Sequence, residues 1–278
     1  MAMFHDFINN RFGRVDRSVV AEFPGGKYAT KGVALKIAID GLEDYQFNGV
    51  EKAIKPGEAL LMDEGQPFHA YAHYATPQTG ICIDVPQVTL RSAYQDFALL
   101  GPDQKLDFPQ GFFSLAGYPL MQFLNRFQHE VDQLDWEGEG HEFMFMLAQQ
   151  IARFIFQLRG ERAKLPVIKA STARYLYERL HIARGFLHDT RQAPFSLEAV
   201  ARVSALSEFH LARLFKQCFG QTVFSYHEQL KMAQARELLS QGQEPIVDVA
   251  IALGYTDTSY FIRRFKKHFG TTPGKFAG

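Results

Sequence analysis

The 278-residue sequence has few of the features that mark secreted, membrane or metal-binding proteins. Its two cysteines, Cys82 and Cys218, lie far apart and supply neither a disulfide framework nor a paired metal-ligand motif. No apolar run approaches the roughly 20 residues that a membrane-spanning helix needs. The first residues mix acidic and basic side chains and lack the apolar core of a secretory signal. We therefore expect a cytoplasmic setting in which the thiols stay reduced.

The chain also lacks an excess of charge of either sign, since 30 Lys and Arg balance 30 Asp and Glu. This balance hides a division along the sequence. Residues 1–158 contain 12 Lys and Arg against 20 Asp and Glu, whereas residues 159–278 contain 18 against 10. A basic half predicts contact between that half and a polyanion. An uneven surface without such a partner is the alternative interpretation.

Composition and length indicate a globular protein of two domains. Hydrophobic residues make up 46% of the chain and charged residues 22%, as in ordinary soluble proteins. Residues 159–169 are charged and are interrupted by Gly160 and Pro166, a pattern that predicts an interdomain linker. We therefore expect one domain over residues 1–158 and another over residues 170–278.

The N-terminal half has the pattern of a β-rich domain followed by helices. Apolar runs of five to seven residues begin at Ser18, Val33, Ala59 and Gly80, with turn residues after Pro24, Asp40, Lys55 and Thr76. This spacing predicts a sandwich or barrel within residues 1–90. Residues 91–115 predict no particular element. Three- and four-residue spacing of apolar residues predicts a helical hairpin over residues 118–158, which either covers the β-domain or supports dimerisation.

The C-terminal half contains an internal repeat, residues 196–222 and 245–272. Pairs such as Val200/Val249 and Ala201/Ala250 are identical at an offset of 49. Later pairs are identical at an offset of 50, namely Arg213/Arg263, Phe215/Phe265, Lys216/Lys266, Phe219/Phe269, Gly220/Gly270 and Thr222/Thr272. The second copy therefore has one residue more than the first between its two helical segments, where a turn is expected. Two copies are too few for a solenoid, and they suit a duplicated recognition module.

Each copy predicts a short helix, a tight turn and a second helix with a polar, cationic outer face. Ser207 is the expected N-cap of the second helix in the first copy, and Gly254 allows a positive φ in the turn of the second. Ala205 takes the place of that glycine in the first copy, where we expect backbone strain. The helix-turn-helix motifs are expected at about 196–220 and 245–270, joined by a connecting helix over about 223–241. Two amphipathic helices with ordinary solvated faces are the alternative.

These features resemble the DNA-binding domain of the AraC/XylS family of bacterial transcription regulators. The resemblance covers residues 171 to 278, and its most specific run in the second copy includes Val249, Ala250, Leu253, Gly254, Tyr255, Phe261, Phe265, Gly270 and Pro273. Two residues depart from the family pattern. Ala212 stands where a polar residue is frequent, and Lys231 stands where an arginine is common.

The resemblance implies that both second helices enter successive major grooves of double-stranded DNA. The base-contact candidates are Phe209, His210, Ala212, Arg213, Thr258, Ser259, Ile262 and Arg263. An arginine fork matches the two major-groove acceptors of guanine, whereas flanking side chains bind phosphates without reading sequence. The phosphate-contact candidates are Lys216, Gln217, Arg264, Lys266 and Lys267.

The N-terminal half resembles the cupin-like effector domain of many such regulators, over the segment that begins at Lys55. This resemblance implies a small-molecule effector in a β-barrel and dimerisation through the following helices. Because residues alternate between the faces of a strand, His69, Tyr71 and His73 are the effector-pocket candidates. The His-x-His and downstream glutamate of enzyme cupins are missing, so we expect histidines that contact a ligand or form hydrogen bonds, and no metal.

The sequence thus predicts a two-domain α+β transcription regulator with a cupin-like β-barrel, a helical hairpin and an all-α double helix-turn-helix domain. The expected partners are promoter DNA, a small effector, a second copy of the chain and, for an activator, RNA polymerase. No nucleophile motif, phosphate loop or paired carboxylates are present, so no cofactor or catalysis is expected. A cupin enzyme and a regulator controlled by a partner protein stay open as alternatives.

Overall fold

A computed structural model describes residues 2–93, 107–115, 118–130, 140–240 and 244–277. The chain forms two compact units, Met1–His181 and Ile182–Gly278. In the part of the chain that is described, no helix is both long and apolar enough to cross a membrane.

The first unit is built on an eight-stranded antiparallel sheet. Its strands are β1 (Ala2–Asn10), β2 (Gly13–Ala29), β3 (Val33–Asp40), β4 (Glu43–Phe47), β5 (Val50–Ile54), β6 (Glu58–Met62), β7 (Pro67–Val85) and β8 (Gly111–Ser114). Neighbouring strands follow the order β1-β2-β7-β3-β6-β8, and β4 pairs with both β5 and β7. Among the described strands the sheet therefore has two ends, and the closed barrel expected from the sequence is corrected to an open sheet.

Two strands are longer than the sequence predicts. The segments after Pro24 and Thr76, expected to be turns, lie inside β2 and β7. The β2–β7 register shifts between Val20 and Glu22 and again between Phe23 and Gly26. Proline and glycine in a strand mark bulges as well as turns, and a bulge bends a strand without ending it. In β2 and β7 the residues expected to form turns therefore lie at irregularities within continuous strands.

Three of the described helices lie wholly within the first unit, and the second and third of them fall in the segment predicted to form a helical hairpin. They are α1 (Gln87–Ala93), α2 (Pro119–Glu130) and α3 (Gly140–Ala163). The expected apolar stripe of α3 is buried, with Leu147, Ile151 and Leu158 fully covered. Phe127 of α2 stacks on Phe143 of α3 with ring centroids 4.7 Å apart. The predicted inward residues Val131 and Leu134 lie outside the described residues.

Helix α3 extends to Ala163, into the segment predicted to be a linker. Helix α4 (Ala170–Asp189) then begins, and the division between the units falls inside it, after His181. Its first turns belong to the N-terminal unit because Tyr177 and Tyr118 donate hydrogen bonds to the buried carboxylate of Glu161, at 2.7 and 2.6 Å. A buried carboxylate needs such donors, so this cluster holds the helix in place.

The second unit is helical. Its remaining helices are α5 (Leu197–Val203), α6 (Glu208–Phe219), α7 (Val223–Ser240), α8 (Ile246–Ala252), α9 (Thr258–Phe269) and α10 (Pro273–Ala277). Helices α5 and α6 form the first predicted helix-turn-helix motif, and α8 and α9 form the second. Helix α7 is the expected connecting helix, and Met232, Ala235 and Leu239 of its predicted inner face are buried.

Candidate nucleic-acid interface

The second helix of each motif begins at a polar N-cap and ends at a left-handed glycine. Ser207 accepts a hydrogen bond from the backbone N–H of His210 at 3.3 Å, and Asp257 accepts one from Ser259 at 2.7 Å. Gly220 and Gly270 end the two helices at φ 75° and 76°. These caps satisfy backbone groups that a helix end leaves without partners, so the sequence sets the length of both helices.

Each motif has its own apolar core. In α6 the buried side chains are Leu211, Leu214, Phe215 and Cys218, and in α9 they are Phe261 and Phe265. Ala201 and Ala250 are buried at equivalent positions of the first helices. A small side chain there lets the two helices of a motif approach closely. The hydrophobic face of α6 and α9 is thereby directed inward, and the opposite face is left to solvent.

The turns of the two motifs each contain a residue with a positive φ at the equivalent position. Gly254 has φ 71° and Ala205 has φ 52°. Any residue other than glycine is strained in this left-handed region, because its Cβ crowds the following carbonyl oxygen. The strain expected for Ala205 is therefore confirmed.

The outer faces of α6 and α9 carry most of the residues predicted to contact DNA. Phe209 is 77% exposed, which is unusual for a phenylalanine. Also exposed are His210, Arg213, Lys216, Gln217, Ser259, Arg263, Lys266 and Lys267. Ala212, Thr258, Ile262 and Arg264 are half-buried beside them. Each helix thus presents arginine and lysine at equivalent positions, as a surface for a polyanion requires.

Comparisons with known proteins agree with this arrangement. The helix-turn-helix domain family matches residues 200–278. The arabinose operon regulatory protein of Escherichia coli K12 is 26% identical over 256 residues, which are 88% of this chain and 80% of that protein. The probable transcription factor PqrA of Proteus vulgaris is 35% identical over 86 residues, which are 31% of this chain and 70% of that protein.

The chain belongs to the AraC/XylS family of transcription regulators. The multiple antibiotic resistance protein MarA of E. coli K12 is also similar, at 31% identity over 97 residues, which cover 35% of this chain and 76% of that protein. The predicted function, DNA-binding transcription regulation, is thereby confirmed.

One predicted phosphate contact of the regulator is engaged inside the protein. The Arg264 Nε donates a hydrogen bond to Glu228 Oε2 of α7 at 2.8 Å, and the Glu228 carboxylate is buried. Arg263, by contrast, is exposed and reaches Asp257 only at 3.9 Å. Arg264 therefore links the second motif to the connecting helix, while the adjacent arginine faces solvent. An acidic residue at an inward position of α7 is the sequence signal that was missed.

Lys231, which replaces the common arginine, is 3% exposed. Its Nζ lies 4.8 Å from the centre of the Tyr255 ring, a cation–π contact. Burial lowers the pKa of Lys231, and nearby Glu228 acts in the opposite direction. Burial also raises the pKa of Tyr255, and Glu228 adds to this shift. The Lys231 side chain thus extends from α7 and packs against Tyr255, next to the turn of the second motif.

The sheet of the regulator contains a cavity with a volume of about 330 Å³. Strand register places Asp16 of β2, Cys82 of β7 and Lys36 of β3 in one row across its floor. Lys36 Nζ lies 3.3 Å from Asp84 Oδ2. Burial lowers the pKa of Lys36, but Cys82 and the surrounding carboxylates more than offset this and the pKa is raised. Burial raises the pKa of the Cys82 thiol to about 12, so it is protonated and unreactive at neutral pH.

A buried carboxylate forms the next part of the same cavity. Glu43 accepts hydrogen bonds from Ser18 at 3.1 Å and Tyr45 at 2.9 Å. Burial raises the pKa of Glu43, and these two hydrogen bonds lower it by a smaller amount. The backbone of Gly80 makes room for it, because a Cβ there would overlap the Glu43 carboxylate. The cavity is therefore lined by positive, negative and hydroxyl groups.

The effector-pocket candidates are placed differently from one another. Tyr71 lines the cavity, whereas His69 is not among its lining residues. The His73 side chain lies outside the described residues. Within the described part of the chain, no group of three or more His, Cys, Asp or Glu is arranged to hold a metal ion. The polar groups on β2, β3 and β4 had no local sequence signal, since strand pairing alone brings them together.

Replacing Ala205 by glycine is expected to stabilise the second unit by about 1 kcal/mol, because glycine relieves the left-handed strain. The measurement is chemical denaturation of the full-length protein, followed through the transition of the C-terminal unit. Ala233→Gly, at an exposed site within α7, is the matched control and is expected to cost about 1 kcal/mol. A loss of stability in both variants would contradict strain at Ala205.

Proposed function

We propose that the regulator reads two adjacent major-groove segments of one operator, one with α6 and one with α9. The observation that carries this proposal is the equivalence of the two helices. Both begin at a polar N-cap, both end at a left-handed glycine and both expose arginine and lysine at the same positions. A helix of this kind fits the major groove, and a connecting helix keeps the pair at one separation.

The exposed residues divide into base-reading and phosphate-binding sets. Arg213 and Arg263 project from the middle of their helices and are the candidates for guanine contacts. The exposed ring of Phe209 suits apolar contact with a thymine methyl group. Lys216, Lys266 and Lys267 lie nearer the helix ends and suit phosphates. Because Arg264 is bonded to Glu228, we assign it a positioning role in place of a phosphate contact.

Arg263→Ala is expected to weaken operator binding by about 1–3 kcal/mol and to relax specificity at one base pair. Lys267→Ala is expected to weaken binding to all sequences similarly and to reduce the salt dependence, because one phosphate contact is lost. The measurement is a binding titration on an operator recovered by selection from random DNA, and on random DNA, at several salt concentrations.

Arg202→Ala is the control for Arg263→Ala and Lys267→Ala. Arg202 is an exposed arginine of α5 that forms an ion pair with Glu198, and it lies outside α6 and α9, the two helices proposed to enter the major groove. Its binding is expected to match that of the unaltered protein. Equal losses on operator and random DNA for Arg263→Ala would overturn its assignment as a base reader.

The cavity in the sheet supports control by a small polar effector. Its floor pairs a buried ammonium group with carboxylates, so a ligand hydroxyl can accept from Lys36 and donate to Glu43 at once. Its volume is within the range of small-molecule sites. The arabinose operon regulatory protein, similar over 88% of this chain, is named for a sugar operon. We therefore propose a polyhydroxylated effector, bound within a cupin-like fold.

A panel of sugars and polyols, tested by thermal shift, is expected to contain a compound that stabilises the unaltered protein. Lys36→Met is expected to reduce its affinity by about tenfold or more, because the hydrogen bonds of a buried ammonium are lost. Lys27→Met, an exposed residue of the same sheet, is the control. If every bound compound leaves the operator footprint and the oligomeric state unchanged, effector control is wrong.

We also propose that the regulator forms a homodimer through α3. Phe145, Met146 and Phe156 of this helix are 41%, 43% and 45% exposed, although its opposite face is buried in the first unit. Burial of three large apolar side chains favours association with the same face of a second copy.

Phe156→Glu is expected to shift the protein from dimer toward monomer, because a charge on this face costs free energy when the surface is buried. Sedimentation velocity across a concentration series measures the change. Val50→Glu, at an apolar side chain of β5 that is 49% exposed, is the control and is expected to leave the dimer intact. A dimer of unchanged affinity in Phe156→Glu would exclude this face.

Two alternatives are separated by direct measurements. A cupin enzyme would carry stoichiometric iron or manganese, which elemental analysis detects. A regulator controlled by a partner protein would show DNA binding that no small molecule alters. We favour a regulator without catalysis or cofactor, because the similar proteins are named as transcription regulators. We place it in the cytoplasm with its DNA, where an activator would contact RNA polymerase.

A further inference from the structure

A short segment of the second unit holds the two motifs together. We call residues 190–195, between α4 and α5, the brace. The brace lies along the connecting helix α7 through three sets of contacts. These are the Thr190 carbonyl 3.4 Å from His227 Nε2, the Arg191 Nε donating to Gln234 Oε1 at 3.0 Å, and the Phe195 ring 5.3 Å from Phe224 and 5.5 Å from His227.

The brace also touches the turn of the second motif. The Gln192 carbonyl lies so close to Gly254 that a Cβ on Gly254 would overlap its oxygen. Lys231 Nζ lies 3.5 Å from the same Cβ position, above the Tyr255 ring. Gly254 therefore meets two requirements, a left-handed backbone and a close approach of another backbone segment. The second requirement is invisible in the sequence pattern of the motif.

The brace continues directly into the first motif. Immediately after Phe195, Ser196 caps α5 by accepting a hydrogen bond from Ala199 N at 3.1 Å. One stretch of backbone thus contacts the turn of the second motif and starts the first. Glu228–Arg264 makes a separate attachment between α7 and the second motif. Two attachments restrict the rotation that one alone would allow.

We propose that the brace, through Gln192 and Gly254, sets the spacing and rotation of α9 relative to α6, and hence the base-pair spacing that the regulator accepts. Both residues are positioning residues, since neither needs to touch DNA. The proposal rests on the proposed function, because it requires that both motifs read one operator. One base pair added between the DNA segments read by the two motifs moves one segment by about 3.4 Å along the duplex axis and rotates it around that axis. If α6 and α9 are held rigidly relative to each other, DNA binding is therefore sensitive to this spacing.

The test compares Gly254→Ala with Gly270→Ala in the full-length protein. Both variants place a methyl group on a left-handed residue, at φ 71° and 76°, so both carry similar backbone strain. Only the methyl at Gly254 meets the brace, because nothing lies within 4 Å of the corresponding position at Gly270. Affinity is measured on the selected operator and on versions with one base pair added or removed between the two protected segments.

The unaltered protein and Gly270→Ala are expected to lose about tenfold or more in affinity on each altered spacing. Gly254→Ala is expected to bind the selected operator less tightly, and its affinities on the three spacings are expected to agree within about threefold. A destabilised but correctly spaced domain would keep the original spacing preference. The same spacing profile in Gly254→Ala as in the unaltered protein would overturn the proposal.

If Gly254→Ala does not fold, as judged by circular dichroism, Arg191→Ala provides the same test. That variant removes the hydrogen bonds from Arg191 to Gln234 and to the His188 carbonyl without adding a clash, and it is expected to flatten the spacing profile in the same direction. An unchanged profile in Arg191→Ala then overturns the proposal. Selection that recovers no two-part operator for the unaltered protein would instead refute two-motif reading, which is a separate outcome.

Discussion

The DNA-binding unit depends on one buried carboxylate, that of Glu228 on the connecting helix. It accepts a hydrogen bond from Arg264 at 2.8 Å and lies 3.4 Å from the Tyr255 hydroxyl, so it contacts both the recognition helix and the turn of the second motif. A buried charge that loses its partner is strongly destabilising. This constraint directs Arg264 inward and leaves Arg263 as the arginine that faces solvent. Two adjacent arginines thereby acquire different roles.

Glu161 has a comparable place in the first unit. The charge of its segment predicted an interdomain linker, yet Glu161 is buried and bonded to two tyrosine hydroxyls, from Tyr118 and Tyr177. Composition identified a charged segment correctly but contained no information on the surface that would cover it. The start of α4 therefore belongs to the N-terminal unit, and the two units divide inside a helix, after His181.

Features that depend on nearby residues were predictable from the sequence, whereas those that depend on contacts between distant segments were not. The buried faces of α3, α6, α7 and α9 follow from apolar spacing, because a helix repeats every 3.6 residues within one short window. The segments around Pro24 and Thr76 were predicted as turns and are bulged strand, because only pairing between β2 and β7 distinguishes the two. The cavity floor also had no local signal, since Asp16, Lys36 and Cys82 come from three strands.

The sequence by itself determined the two helix-turn-helix motifs, their caps, the strained turn at Ala205 and the exposed basic faces. Each of these depends on residues within one or two helical turns, where backbone preferences and side-chain spacing decide the outcome. Tertiary structure decided the bond between Arg264 and Glu228, the burial of Glu161 and the contact of Gly254 with Gln192. These depend on which distant surfaces are buried together, and burial determines whether a charge is paired and whether a glycine can be replaced.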